Sequence, residues 1–322
     1  MLGSGEPSAA IADLLCSVLN QNVTAWRSSP SAVTIEKQVV NWIAYGVGCD
    51  EFGGILTSGG SSANLMGLAM AREAKIGANE SGIRSTVPHA VYASTEVHMS
   101  VPKAVSLLGI GRDNLRLIPV DENFRMLPEA LEQAMRKDEE LGIKPFAVVA
   151  TAGTVNTGAI DPLAEIAEIA SNRGAWLHVD GSYGALAALA IPGRFAGLAR
   201  ANSLALDPHK WLYQPLDCGC LLYRDAQAAR SAFAHSDDYV RPLQEDLIES
   251  HAYFEESIEL SRRFRALKLW FSFQYHGIEA FRDSIKKDLG HAQRLGAVIA
   301  KNPGARIDRT DSSQCRLLSI CG

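Results

Sequence analysis

The run Asp207-Pro208-His209-Lys210-Trp211 holds a lysine, and Asp180, 30 residues earlier, closes the apolar run Trp176-Leu177-His178-Val179. A lysine after one strand-like run and an aspartate at the end of another are the two groups that pyridoxal phosphate chemistry needs. The lysine amine condenses with the cofactor aldehyde as a Schiff base, and the carboxylate keeps the pyridine nitrogen protonated so that the ring accepts electrons. Pro208 and Trp211 flank the amine in an otherwise apolar segment, which predicts desolvation and easier loss of its proton. Each residue has an ordinary reading as well: Asp180 as a turn or capping aspartate, His209 and Lys210 as surface residues after a strand.

Other segments could complete such a site. Thr57-Ser58-Gly59-Gly60-Ser61-Ser62-Ala63-Asn64 precedes an apolar helical run; its glycines permit close backbone approach, its serines can cap the helix and the helix start attracts an anion, so the loop reads as a phosphate cradle or as a plain helix cap. The loop lacks the Gly-Lys-Ser/Thr of a Walker sequence and the strand context of a dinucleotide fingerprint. His98 follows a strand-like run, where an imidazole can stack on a pyridine ring or sit on the surface at a helix start. Thr151-Ala152-Gly153-Thr154 ends another strand; Thr154 could line a cofactor or belong to a turn.

Strand-like runs at 90–93, 115–120, 146–151, 175–179, 203–206 and 219–223 alternate with helical patterns at 127–141 and 163–171, which predicts an α/β fold with a mostly parallel sheet. Asp161-Pro162 reads as an N-cap followed by proline at N1. An early helix is expected over 36–47, long helices over 264–275 and 278–295, and a strand over 316–320. The organisation expected is a helical segment at 1–50, a large domain at 51–275, and at 276–322 the start of a small C-terminal domain.

With 31 basic and 36 acidic residues, a net charge of −5 and no dense basic run, the chain lacks the electrostatic footprint of a nucleic-acid or membrane binder, so a small-molecule substrate is expected. No apolar run approaches a membrane span and the first residues do not read as a signal peptide, which makes the cytoplasm the expected location. Six scattered cysteines suggest neither a disulfide framework nor a metal site; Cys218-Gly219-Cys220 reads as a pair of strand thiols.

Taken with Asn20-Gln21-Asn22, Trp26, Ser29-Pro30 and Arg262-Arg263-Phe264-Arg265-Ala266-Leu267-Lys268-Leu269-Trp270, these motifs resemble the group II pyridoxal-phosphate-dependent amino acid decarboxylases, from about Pro7 to Ile320. The resemblance implies the aspartate-aminotransferase-like fold type I and a homodimer. It implies that Lys210 carries pyridoxal 5'-phosphate, that Asp180 meets the ring nitrogen and that His98 stacks on the ring. Ser61 and Ser62 would hold the phosphate, with Thr154, Asp207 and His209 around the cofactor. Tyr253 matches a mobile-loop tyrosine that protonates the substrate carbon, where phenylalanine goes with aldehyde formation.

The expected reaction is decarboxylation of an amino acid to its amine, aromatic substrates being favoured by Trp26 and the 262–270 motif, whereas Asn22 and Thr24 stand where aromatic-specific relatives are apolar. Another reaction on the same fold (aldehyde synthase, lyase or aminotransferase) and a non-catalytic cofactor-binding fragment are the alternatives. Against the family pattern the chain reads as truncated at both ends.

Overall fold

A computed structural model of the chain describes residues 5–83, 87–235 and 251–301. The strand expected over 316–320 lies outside the described residues. The centre is a 7-stranded sheet in the order β1-β7-β6-β5-β4-β2-β3. Its strands are β1 (Gly53–Thr57), β2 (His89–Ser94), β3 (Leu115–Ile118), β4 (Lys144–Thr151), β5 (Trp176–Asp180), β6 (Ser203–Leu206) and β7 (Gly219–Tyr223). Strands β2 to β6 pair in parallel, and β7 runs antiparallel to both β6 and β1. The α/β class and fold type I expected from the sequence are those of the molecule.

The helices are α1 (Pro7–Leu19), α2 (Pro30–Gly46), α3 (Gly60–Ile76), α4 (Ser100–Leu107), α5 (Pro128–Glu140), α6 (Leu163–Asn172), the single turn α7 (Pro208–Trp211), α8 (Ala226–Phe233), α9 (Ala266–His276) and α10 (Ile278–Ala300). Helix α3 packs on β4 to β7, while α5 and α6 pack on β3 to β5. Burial on both faces explains why the central strands are continuous apolar runs such as Phe146–Ala150 and Leu204–Leu206. Among the described residues no helix is long and apolar enough to cross a membrane.

Two local readings are corrected. Strand β1 stands directly before the Gly-Ser loop, although no strand was expected there; it is an edge strand that opens with Gly53-Gly54, a pair with poor strand propensity. Asp161 does not cap α6, whose N-cap is Pro162. Its carboxylate instead accepts the backbone N–H groups of Met126 and Thr151, both at 2.7 Å, tying the start of α5 to the end of β4. Burial pushes that carboxyl up to about 6.

A buried cation holds the sheet edge. Arg262 donates to the carbonyls of Val23 and Leu56, both at 2.9 Å, and pairs with Glu36 of α2, which also accepts the Leu56 N–H at 3.0 Å. Both charged side chains are 0% exposed, so neither can recover solvation if the other is lost. Glu36→Ala is expected to lower unfolding free energy by about 3–5 kcal/mol in urea titrations, whereas Glu36→Met/Arg262→Met should recover most of it. Equal losses in the single and double variants would contradict this account.

Candidate active site

A cavity of about 380 Å³ opens where the parallel strands end. It is lined by Ser58–Ser62 after β1, Glu96 and His98 after β2, Thr151, Gly153 and Thr154 at the end of β4, Asp180 and Ser182 at the end of β5, and Asp207, His209 and Lys210 after β6. This is the edge at which open α/β sheets bind ligands, because the loops diverge there and expose strand ends. Register sets the floor: Thr151 lies beside Asp180, and Asp180 beside Ala205.

Asp180 is 4% exposed. Its Oδ1 accepts the Ser182 N–H at 3.1 Å and its Oδ2 accepts Asn64 Nδ2 at 2.9 Å. The same Asn64 nitrogen donates to Ser100 Oγ at 2.9 Å, and Ser100 Oγ lies 2.8 Å from His98 Nδ1. Asn64 Oδ1 lies 2.8 Å from His178 Nε2, whose Nδ1 is 2.8 Å from Ser203 Oγ. Trp176, His178 and Asp180 project to one face of β5 because side chains alternate along a strand, and that face meets α3. Contact is close enough that a Cβ on Gly67 would stand 2.5 Å from the His178 ring.

Lys210 and Asp207 occupy the turn after β6, where Pro208 at N1 starts α7. Three residues of helical spacing bring Lys210 Nζ to 2.8 Å from Asp207 Oδ2. The amine is therefore ion-paired, not left among apolar groups as its flanking residues suggested. His209 Nδ1 accepts the Cys218 N–H at 3.2 Å, and its Nε2 sits 3.5 Å from Asp207 Oδ2. Burial holds the His209 imidazole below its ordinary range.

The residues present fit pyridoxal phosphate. Four lining oxygens, Glu96 Oε2, Thr151 Oγ1, Ser182 Oγ and Asp207 Oδ1, are buried without a protein partner, which suits a polar ligand bringing its own donors and acceptors. The start of the 17-residue α3, with Ser61 and Ser62, lines one end of the cavity, a place suited to an anion such as the phosphate. Gly60 lets the helix start pack against the ends of β5 and β6, since a Cβ there would lie 2.3 Å from Ser182 Oγ and 2.9 Å from Asp207 Oδ2.

The structure brings together Ser61, Ser62, His98, Thr154, Asp180, Asp207, His209 and Lys210, all of which line the cavity. Tyr253 is not among them. It lies in the 3-10 turn Tyr253–Glu256, is 0% exposed, and carries the Arg262 guanidinium 4.5 Å above its ring. Tyr253 thus does not line this cavity, and the geometry gives the mobile-loop role expected of it no support. Thr154 lines the site, but its hydroxyl is 2.6 Å from that of Thr157; of the two threonines at this strand end, Thr151 is the one whose hydroxyl has no protein partner.

Asn22 is engaged by the Arg262 N–H at 2.8 Å, and neither it nor Thr24 lines the cavity, so the pocket's polarity is not theirs to set. The 262–270 motif is structural too. Arg263 pairs with Asp13 and Asp217, Arg265 with Asp217 and Glu259, and fully buried Lys268 donates to the Pro215 carbonyl at 2.8 Å. Sequence reasoning missed Glu96 and gave Asn64 no role; the one signal was an amide four residues into a helix start that was otherwise small or apolar.

Comparison with known proteins agrees with this geometry. A family model described as "Pyridoxal-dependent decarboxylase conserved domain" matches residues 4–313. An aromatic-L-amino-acid decarboxylase from Bacillus atrophaeus is 40% identical over 302 residues, covering 93% of this chain and 62% of the relative. The crystal structure of mouse CSAD superposes with a TM-score of 0.87 at 30% identity, covering 94% of this chain and 64% of that one. That of Oryza sativa TDC with PLP and tryptamine gives 0.86 at 29% identity, covering 92% and 64%. The chain thus spans less than two thirds of the length of these relatives.

The buried histidine of the network makes stability depend on pH. Burial, opposed in part by Asp180, lowers His178 from 6.5 to about 4. Between those values the unfolded chain takes up a proton that the folded chain refuses, so the contribution is complete above pH 6.5 and is lost as pH falls towards 4. The expected loss is on the order of 3 kcal/mol. Urea titrations should show a shallower pH slope across this window for His178→Gln than for the wild type; parallel slopes would count against a neutral buried ring.

Proposed function

This chain belongs to the pyridoxal-dependent decarboxylase family, and on that premise we propose that it removes the α-carboxylate of an L-amino acid as carbon dioxide and releases the amine, with aromatic substrates favoured. The observation that carries the reading is the convergence of Lys210, Asp180 and the start of α3 on one cavity. The Bacillus relative's name supports an aromatic substrate. So do Val155, Tyr183 and Leu216, which add apolar surface to the cavity wall.

When bound, pyridoxal phosphate supplies a ring that accepts the electron pair left by the departing carboxylate. Lys210 would hold it through its amine, with Asp207 orienting that amine from 2.8 Å. Asp180 would keep the proton on the ring nitrogen, a task for which its two backing N–H donors position it. Ser61, Ser62 and the first amides of α3 would take the phosphate, His98 would cover the ring face, and His209 and Thr154 would border the cofactor.

The proposal includes a cytoplasmic homodimer. The pairing of two copies is supported by a second apolar stripe on α1: Ile11, Leu14, Leu15, Val18 and Leu19 recur at helical spacing and are all exposed, while Ala9, Ala12 and Cys16 on the opposite side are buried. An exposed stripe of this kind marks an interaction surface.

Addition of pyridoxal phosphate should produce the long-wavelength absorbance of a lysine adduct, and borohydride reduction followed by peptide mapping should place the label on Lys210. Lys210→Ala should lose both the absorbance and amine production. Labelling of another lysine would overturn the assignment. The Tyr253 hydroxyl is buried without a partner, so Tyr253→Phe is expected to leave the amine-to-aldehyde product ratio unchanged and stability within about 1 kcal/mol of wild type. A shift towards aldehyde would restore the tyrosine to the chemistry.

A further inference from the structure

Asn64 is 1% exposed and Ser100 3%, so the polar groups around them must satisfy one another inside the protein. Asn64 Nδ2 has two hydrogens, and it faces two oxygens: Asp180 Oδ2 and Ser100 Oγ, both at 2.9 Å. The opposite amide orientation would set Asn64 Oδ1 against a carboxylate oxygen, with no hydrogen between them. Orientation of the amide is thereby settled by Asp180, and every other hydrogen in the network follows from it.

On one arm, Asn64 Oδ1 must accept from His178 Nε2. The buried neutral ring then accepts at Nδ1 from the Ser203 hydroxyl, whose oxygen in turn receives Trp176 Nε1–H at 2.9 Å. On the other arm, Ser100 Oγ receives a hydrogen from Asn64 and turns its own towards His98 Nδ1 at 2.8 Å. The Ser100 backbone N–H points at the same nitrogen from 3.3 Å. A ring nitrogen facing two donors is an acceptor.

We propose that Asn64 is a positioning residue that couples the two ends of the site: its amide anchors Asp180 and, through the Ser100 hydroxyl, holds His98 in the tautomer whose proton is on Nε2. His98 thus offers the cavity an N–H donor suited to an anionic oxygen of the bound ligand. The functional meaning rests on the decarboxylase reading above, but the tautomer itself belongs to the protein without cofactor.

The test uses the purified full chain, labelled with 15N-histidine and free of cofactor, in long-range 1H–15N spectra with His98 assigned through His98→Gln. The wild type should show His98 with a bare Nδ1 and a protonated Nε2. Ser100→Ala removes the hydroxyl donor and should move His98 towards a mixture of tautomers, with Ser100→Thr restoring the wild-type pattern. Asn64→Asp substitutes a carboxylate that accepts from Ser100, and should turn its hydroxyl away from His98 with the same result. In both Ser100→Ala and Asn64→Asp, pyridoxal phosphate affinity read by absorbance should fall about tenfold, the equivalent of ~1.4 kcal/mol. A protonated Nδ1 in the wild type, or an unchanged His98 in Ser100→Ala, overturns the proposal. Failure of the wild type to bind pyridoxal phosphate would sink the decarboxylase reading while leaving the tautomer measurement intact.

Discussion

A carboxylate sealed at the end of a central strand is the constraint around which this molecule is arranged. Burying a charge is costly unless hydrogen-bond donors replace water, and Asp180 obtains them from the Ser182 amide and from Asn64 of α3. The second donor requires α3 to lie almost against β5, which Gly67 permits by having no side chain to collide with His178. The same helix begins at the cavity, which Gly60, Ser61 and Ser62 line. One packing decision therefore positions both the acid end and the anion end of the site.

The positive charges are divided between chemistry and architecture. Lys210 faces the cavity, paired with Asp207. Buried Arg262, Arg265 and Lys268, with half-buried Arg263, bind the N-terminal segment, α2 and the 215–217 turn to α9 and the residues before it. Such pairs contribute to a unique arrangement more than to net stability, since desolvation offsets much of their attraction. Tyr253 belongs to this second group, its ring serving as a platform for Arg262.

Much of the fold was legible because it rests on local pattern. Apolar runs of strand length, separated by amphipathic helices, gave β2 to β7 within a few residues, and with them the places of Lys210 and Asp180 at strand ends beside one cavity. What escaped had non-local causes. Strand β1 is extended because β7 pairs with it, not because Gly53-Gly54 favours extension. Asp161 looked like a helix cap, yet the amides that reach it come from Met126 and Thr151. Thr151 and Thr154 are equivalent on paper; the proximity of Thr157 engages one hydroxyl and leaves the other without a protein partner.

Residue types and their order along the chain determined the α/β class, the strand ends that carry chemistry and the kind of cofactor those ends can hold, because periodicity and reactive groups are properties of short segments. Tertiary structure alone decided which partners each polar group meets, that the Tyr253 ring is buried under a guanidinium, and that an asparagine in a helix meets both a serine 36 residues away and an aspartate 116 residues away through space. Hydrogen-bond partners and burial depend on what the rest of the chain brings within about 3 Å, a distance that sequence separation does not encode.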